Sequence, residues 1–299
     1  MRSTFFGFEI ARKALNASQK GLDVTGQNIS NINTEGYTRQ RVDLTASGPV
    51  GGASLFADTL TIPVGQGVDI TGISQIRNIY LDSVYYRENA QNNTIDSGLN
   101  GLREIENIID EVSTDGLGKA LSGFYQSLQT LSVDSANPAY ASLLRSAAQK
   151  VTQIINNYAN QLSDIESGHV DSLVMAASDI NSLINKIEGL NGQIKLEQLR
   201  GNSPGELLDI RNNYLDKLSS YISISTEMKA DGTVSVKSGG MYLLDSDHNI
   251  KNTLTVDAGA YPVTIKTGDG TVFQPTSGSV KGELQLVNIS LEQVEPGFA

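Results

Sequence analysis

Few residues in this chain are suited to acid–base or metal chemistry. Its 299 residues include two histidines, His169 and His248, and no cysteine. Without a thiol there is no thiolate nucleophile and no cysteine-based zinc site. His169 lies in a helical pattern beside Glu166 and Asp171, where a lone histidine is usually a solvated or capping residue. The residue types therefore argue against triad and metal-ligand chemistry.

The segment around His248 resembles the start of a calcium loop. In DSDHNIKN, residues 245–252, oxygen-bearing side chains alternate along the chain. The position that requires glycine in such a loop is Ile250, and the position of the bidentate glutamate is Val256. A polar turn is therefore the better interpretation.

Two further patterns could in principle serve catalysis. VGQGV, residues 64–68, resembles a phosphate loop, but it lacks the strand–turn–helix context and the third glycine. It is better interpreted as a turn with backbone positions that exclude a Cβ. A pair of carboxylates for glycoside hydrolysis would need a concave site, which the rod-like pattern described below does not obviously build. We therefore predict no enzyme, no cofactor and no metal.

Charge and composition exclude further classes. The 22 Lys and Arg against 33 Asp and Glu give a net charge of −11, which disfavours nucleic acid and anionic membranes as partners. The apolar fraction of 39% is low for a globular chain and fits an elongated shape. The sequence contains neither a stretch that could span a membrane nor a cleavable secretory signal.

The first predicted element that could position a functional surface is a helix near the amino terminus. Its seam residues recur at steps of three and four. They are Phe8, Ala11, Leu15, Ser18, Leu22, Thr25, Ile29 and Ile32. Only about half are large and apolar, and Gly21 and Gly26 weaken the helix. We expect it to be marginal alone and to require a partner.

The rest of the chain predicts a mainly α protein with a smaller β region: an elongated, multi-domain molecule with a long-helix bundle and a β-hairpin-rich insertion. Helical patterns cover residues 74–112, with an interruption at the polar residues 91–94, and residues 117–131. They continue from 139 to 200, with a slip near Gly168, about 62 residues or roughly 93 Å. A capping box of Ser203, Pro204 and Glu206 begins the next helix, which ends near Tyr221.

The hydrophobic period changes to two after residue 222. Residues 222–226 and 233–237 flank an Ala-Asp-Gly turn and predict a hairpin. Short extended runs follow, and two more precede the bundle, at 60–64 and 68–71. The predicted domains are an amino-terminal axial helix (1–40), an irregular or extended connector (41–75), a long-helix bundle (76–222), a small β domain (223–280) and the start of a further helix (281–299).

Residues 15–40 resemble the amino-terminal motif of the bacterial flagellar axial proteins, which comprise rod, hook and hook-associated proteins. The core of the likeness is NISNINTEGYTRQ, residues 28–40, where a helical seam, an Asn-rich helix end and a Gly-Tyr turn occur together. Residues 64–89, which begin VGQGV, are similar to that family's stretch leading into its long-helix domain. Residues 203–222, SPGELLDIRNNYLDKLSSYI, are similar to an Asp-x-Arg segment typical of the hook-associated members, which the likeness favours over rod or hook proteins.

The resemblance implies a structural subunit of the hook–filament junction, self-assembling through its amino-terminal helix. The implied partners are copies of itself in a ring or helical layer, the flagellar hook protein, hook-associated protein 3 and an export chaperone. The implied location is the extracellular flagellum, reached through the flagellar type III export apparatus. The family's carboxy-terminal helix and the usual chaperone site are missing from this sequence, which predicts a fragment or a shortened chain.

Two sets of residues carry the predicted function. The assembly interface comprises Phe8, Leu15, Leu22, Ile29 and Ile32, and the motif turn comprises Asn28, Asn31, Asn33, Gly36 and Tyr37. The motif residues also have a purely local interpretation, with asparagine as a C-cap, glycine at a positive φ and tyrosine as a packed aromatic. Alternative functions are another axial component of the rod or hook, or a free coiled-coil binding protein or adhesin.

Overall fold

A computed structural model of the chain describes residues 5–47, 65–109, 116–259 and 261–292. Its helices are α1 Phe6–Ser30, α2 Ile79–Ile108, α3 Leu117–Val133, α4 Pro138–Leu199, α5 Gly205–Tyr221 and α6 Ser279–Glu292. Its strands are β1 Gln40–Ala46, β2 Val68–Gln75, β3 Ser225–Met228, β4 Val234–Ser238, β5 Met241–Asp245, β6 Ile250–Lys251, β7 Leu254–Asp257, β8 Thr264–Thr267 and β9 Val272–Phe273. The prediction of a mainly α protein with a smaller β region is confirmed. None of the described helices is long and apolar enough to cross a membrane.

The amino-terminal helix α1 packs on an antiparallel pair formed by β1 and β2. Lys13 ties the two together, since its Nζ lies 2.8 Å from Asp69 Oδ1 and donates to Ser47 Oγ at 3.2 Å. The predicted connector thus contains a regular strand, β1, that the sequence pattern did not indicate. The predicted run at 68–71 lies within β2, and the run at 60–64 lies outside the described residues.

Helix α2 continues without a break through residues 91–94, so the predicted interruption is wrong. The side chains of Asn93 and Thr94 donate hydrogen bonds to the carbonyls of Asn89 and Ala90, at 2.8 and 2.9 Å respectively. Thr94 also accepts a hydrogen bond from Gly278 N at 2.7 Å, just before α6. These polar residues therefore have partners within the helix and across the α2–α6 contact, and they need no turn to satisfy them.

The long helix α4 has 62 residues, which is about 93 Å. Asn137 caps its first turn by accepting from Ala139 N at 3.0 Å, and Pro138 occupies the first helical position, where a missing N–H costs nothing. The predicted length is confirmed, and the expected slip near Gly168 does not break the helix. The hydrophobic core starts at Leu173 along α4, where α2, α5, α6 and the sheets surround it.

Helix α5 ends at Tyr221 as predicted, but the predicted capping box at its start is wrong. Pro204 is the N-cap residue and makes no side-chain cap bond. The Ser203 hydroxyl donates instead to the carbonyl of Ile73 in β2. The Ser203 side chain thus bonds to a tertiary partner and makes no local cap bond.

The β region after α5 contains a four-stranded sheet, β3-β4-β5-β6, and a three-stranded sheet, β7-β8-β9. The predicted hairpin is present as β3 and β4, with Gly232 at φ 75° in its turn. Two asparagines of α4 hold the sheets by pairing their amides with strand backbone. Asn181 bonds both N and O of Leu254 at 2.8 Å, and Asn191 bonds O and N of Val234 at 2.8 and 3.1 Å.

Candidate assembly surface

Four of the five predicted assembly residues lie on one exposed face of α1, and the fifth, Ile32, lies in the turn that follows the helix. Their side chains are between 66% and 77% exposed: Phe8, Leu15, Leu22, Ile29 and Ile32. The opposite face carries the buried residues Ala17 and Val24, which pack toward β1 and β2. Leu15 and Ala17, like Leu22 and Val24, are two positions apart, which is about 200° around a helix. Helix α1 therefore has one face satisfied within the chain and one apolar face that is not.

These five large apolar side chains would stabilise the protein if another surface buried them. Each would contribute roughly 1.5–3 kcal/mol on full burial, so the five together represent about 7–15 kcal/mol as an upper estimate. Single exposed apolar residues are ordinary, whereas a continuous stripe of them marks an interaction surface. The stripe repeats every seven residues from Leu15 to Ile29, which suits contact with another helix.

The motif turn is organised around the side chain of Asn28. Its Nδ2 donates to Gln40 O at 2.8 Å, and its Oδ1 accepts from Gln40 N and from the Tyr37 hydroxyl, both at 2.9 Å. One amide thus links the last turn of α1, the turn itself and the start of β1. Burial raises the pKa of Tyr37, and the charge of Asp209 raises it further, so the phenol remains a donor.

The other motif residues shape the path of the chain. Asn31 is the C-cap residue of α1, and its Nδ2 donates to Gln27 O at 3.0 Å. Gly36 has φ 79°, and a Cβ there would lie 3.2 Å from Asn213 Nδ2 on α5. Asn33 is exposed. The structure therefore brings Asn28, Gly36 and Tyr37 into one joint between α1 and the bundle, and leaves Asn33 outside it.

Both histidines are engaged with carboxylates. His169 Nδ1 lies 2.6 Å from Glu283 Oε2 on α6, and its Nε2 lies 3.4 Å from Glu104 Oε2 on α2. His169 borders an open cleft of about 730 Å³ between these helices. His248 Nδ1 lies 2.6 Å from Asp245 Oδ2 in an exposed turn. Within the described residues, no group of three or more His, Asp or Glu side chains is placed to hold a metal ion.

The glycine-rich segment before β2 serves packing in the part that the structure describes. Gly67 has φ 91°, and a Cβ added there would lie 3.4 Å from Ile10 Cγ2 on α1. The glycine lets the start of β2 approach the helix closely. Val64, the first residue of the phosphate-loop-like pattern, lies outside the described residues.

Comparison with known protein families places these features in context. Residues 102–295, more than half of the chain, match the family model described as the flagellar hook-associated protein FlgK helical domain. The chain belongs to the FlgK family. Residues 8–38, which include the whole exposed stripe and the motif turn, match the model described as flagella basal body rod protein.

Several curated relatives of this FlgK family member are named flagellar hook-associated protein 1. The protein from Bacillus subtilis strain 168 is 32% identical over 95% of this chain and 59% of its own length. Those from Escherichia coli K12 and Salmonella typhimurium LT2 are 25% and 24% identical, over 93% and 84% of this chain and 49% and 44% of their own lengths. The chain thus spans about half the length of the curated relatives it matches.

A solved structure shares the fold of this FlgK family member. It is described as that of the flagellar hook junction protein FlgK from Burkholderia pseudomallei. The TM-score is 0.58 at 22% identity, with 70% of this chain and 39% of that chain covered. At this identity the likeness concerns the fold alone.

Sequence reasoning missed two residues of the Asp-x-Arg segment on α5. Asp209 Oδ1 accepts from Thr38 N at 3.0 Å and from Gln75 Nε2 at 2.8 Å, both in the amino-terminal part of the chain. Arg211 is 1% exposed and donates from Nη1 to Gly232 O at 2.6 Å. A signal for Arg211 is present, since it occupies a core position of the helical spacing 208, 211, 215, 218 and 222. A charged residue at such a position is rare unless it is paired.

Proposed function

We propose that this chain is part of a structural subunit of the bacterial flagellum that forms the junction between hook and filament. The observation that carries the proposal is the exposed apolar stripe on α1, opposite the face that packs on β1 and β2. The names of the curated relatives and the match of 8–38 to a basal body protein family support a place in the flagellar axis.

Self-assembly follows from the physics of this stripe. Identical subunits that meet through non-identical surfaces form rings or helical layers, and α1 gains further stability when its second face is covered. The proposed partners are copies of the same chain, the flagellar hook protein and hook-associated protein 3. An export chaperone and the flagellar type III apparatus would deliver the protein to the extracellular flagellum.

The proposal assigns no catalytic activity and no cofactor. Both imidazoles are already bonded to carboxylates on neighbouring elements, where they brace helices α2, α4 and α6 or close a turn. We infer that these contacts have a structural role.

The double variant Ile29→Asp plus Ile32→Asp tests the proposal, expressed from the full-length gene in cells that lack the native copy. Two carboxylates in an apolar contact are costly to bury, so we expect the variant to be missing from purified hook–basal bodies. Helical circular dichroism of the purified protein should stay unchanged, since both isoleucines are exposed.

The matched control is Gln27→Asp plus Ser30→Asp, which adds the same two charges near the same end of α1 at exposed, non-seam positions. The control should be incorporated normally. Normal incorporation of the isoleucine variant would contradict the proposal. Wild-type protein found only free or on the cell surface would favour the free coiled-coil protein or adhesin instead.

A further inference from the structure

The amino-terminal unit, defined as residues 5–47 and 65–75, meets the helical bundle at the start of α5. The contacts there are mainly polar. Asp209 Oδ1 accepts from Thr38 N and Gln75 Nε2, and Gln75 Nε2 also donates to Gly205 O at 2.9 Å. The Ser203 hydroxyl adds a bond to Ile73 O. We call this set of hydrogen bonds the polar joint; Ile76, the residue after β2, is 47% exposed.

The geometry of Asp209 is unusual for a surface helix. Asp209 is only 9% exposed, and burial raises the pKa of its carboxyl. One oxygen takes donors from the segment before β1 and from the last residue of β2. Since those two segments form the base of the β1–β2 pair, a single atom holds that base at two points.

Close approach at the joint leaves little room for an alternative angle. A Cβ at Gly205 would lie 2.5 Å from Gln40 Nε2, and Gln40 is buried at 7% exposure. A Cβ at Gly36 would lie 3.2 Å from Asn213 Nδ2. Directional hydrogen bonds between closely fitted backbones define an orientation more narrowly than an apolar contact does.

We propose that Asp209 is a positioning residue that sets the orientation of the amino-terminal unit relative to the bundle. Without the acceptor oxygen of this side chain the unit pivots about residues 76–78, the link between β2 and α2. The consequence for assembly rests on the proposed function: a ring closes only if each copy presents its contact surface at one fixed angle. The orientation itself does not depend on that function.

The absence of cysteine from the sequence permits a direct measurement. Spin labels at Thr45→Cys on β1 and Asn185→Cys on α4, both exposed positions, report the distance between the unit and the bundle. We expect a narrow distance distribution in the parent protein. Asp209→Ala should widen it by about twofold or more, while the thermal melting of the bundle by circular dichroism stays cooperative.

Three further variants complete the experiment. Asp209→Asn keeps an oxygen that can accept from Thr38 N and Gln75 Nε2, and should restore the narrow distribution. Glu106→Ala removes an exposed carboxylate of α2 and should leave the distribution unchanged. Gln75→Ala removes one donor from the other side of the joint, and decides the question if Asp209→Ala does not fold.

A broad distance distribution in the parent protein would overturn the inference. So would a narrow distribution in Asp209→Ala. If Asp209→Ala does not fold, a narrow distribution in Gln75→Ala would overturn it instead. A distribution in Asp209→Asn as broad as in the alanine variant would also overturn it, because the acceptor would then not be what matters. None of these readouts involves incorporation into hooks. If the proposed function is wrong, the distance measurements still test the orientation of the amino-terminal unit. If the distance measurements contradict the inference, the role of the apolar stripe on α1 can still be tested separately.

Discussion

Arg211 on α5 and Asn191 on α4 are joined inside the protein, with Arg211 Nη1 donating to Asn191 Oδ1 at 3.2 Å. The same nitrogen donates to Gly232 O at 2.6 Å, in the turn between β3 and β4. Asn191 in turn bonds the backbone of Val234. Two side chains from different helices thus fasten one hairpin to the bundle, and burial lowers the pKa of Arg211 to about 10.

Replacing Arg211 by alanine should destabilise the protein by about 2–4 kcal/mol, because Gly232 O would lose its partner and a buried side chain would leave a void. Urea unfolding followed by circular dichroism measures this loss. The control is Arg200→Ala, which removes an exposed i,i+3 pair with Glu197 and should cost no more than about 0.5 kcal/mol. Equal losses of stability in Arg211→Ala and Arg200→Ala would argue against the conclusion that Arg211 fastens the hairpin to the bundle.

Acid should weaken the hairpin turn through Asp231. Its hydrogen bonds from Lys195 and Thr233 lower its pKa from the model-compound value of 3.8 to about 2. A carboxyl whose pKa is lower in the folded state stabilises the protein above its unfolded pKa, and loses that contribution as the pH falls from about 4 to 2. The side chain is 38% exposed, so solvent and salt should keep the effect small.

The comparison of wild type with Asp231→Asn between pH 2 and pH 6 checks this sign. The urea midpoint of the variant should fall less steeply on acidification below pH 4, and the difference should shrink in high salt. Parallel curves for the two proteins would show that Asp231 does not couple to folding.

Asn28 should control the local stability of the motif turn. Asn28→Ala removes the acceptor of Gln40 N, a loss worth about 1–3 kcal/mol, so exchange of that amide should speed up by roughly 5- to 150-fold. Hydrogen exchange of peptides covering 28–40 provides the measurement. Asn33→Ala, at an exposed position of the same turn, should change nothing. Unaltered exchange in Asn28→Ala would mean that other contacts hold β1 in place.

Limited proteolysis of the purified chain should cut first within its first 40 to 70 residues. Helix α1 has only two buried apolar residues, Ala17 and Val24, whereas the core cluster lies in the bundle and the β region. Regions with few buried contacts open most often and are cleaved first. Mass spectrometry of the early fragments would identify the sites, and a first cut between residues 173 and 257 would contradict the expectation.

Strong local patterns were enough to predict the largest elements. The 3.6-residue period predicted α4 to within one residue at each end, because helical periodicity over 62 residues outweighs any single contact. The Asp-Gly turn likewise predicted the β3–β4 pair. The exposed stripe of α1 could also be identified from spacing alone, although its role in assembly stays a prediction.

Local sequence patterns failed to predict the hydrogen-bond partners of several polar side chains. Ser203 had the sequence of a capping residue but bonds to β2. The polar residues 91–94 continue α2, where Asn93 and Thr94 bond to helix carbonyls and Thr94 also bonds to Gly278. Asp209 gave no local sign that it would collect donors from residues 38 and 75.

The amino-acid sequence by itself determined most of the helical stretches, which face of α1 is apolar and where the hairpin turns, because these depend on neighbours a few residues apart. The tertiary structure decided which hydrogen bonds hold the amino-terminal unit to the bundle and which hold the hairpin to α4 and α5. Those joints are built from single hydrogen bonds between segments up to 171 residues apart, and the choice of partner depends on which groups the folded chain brings within about 3 Å of each other.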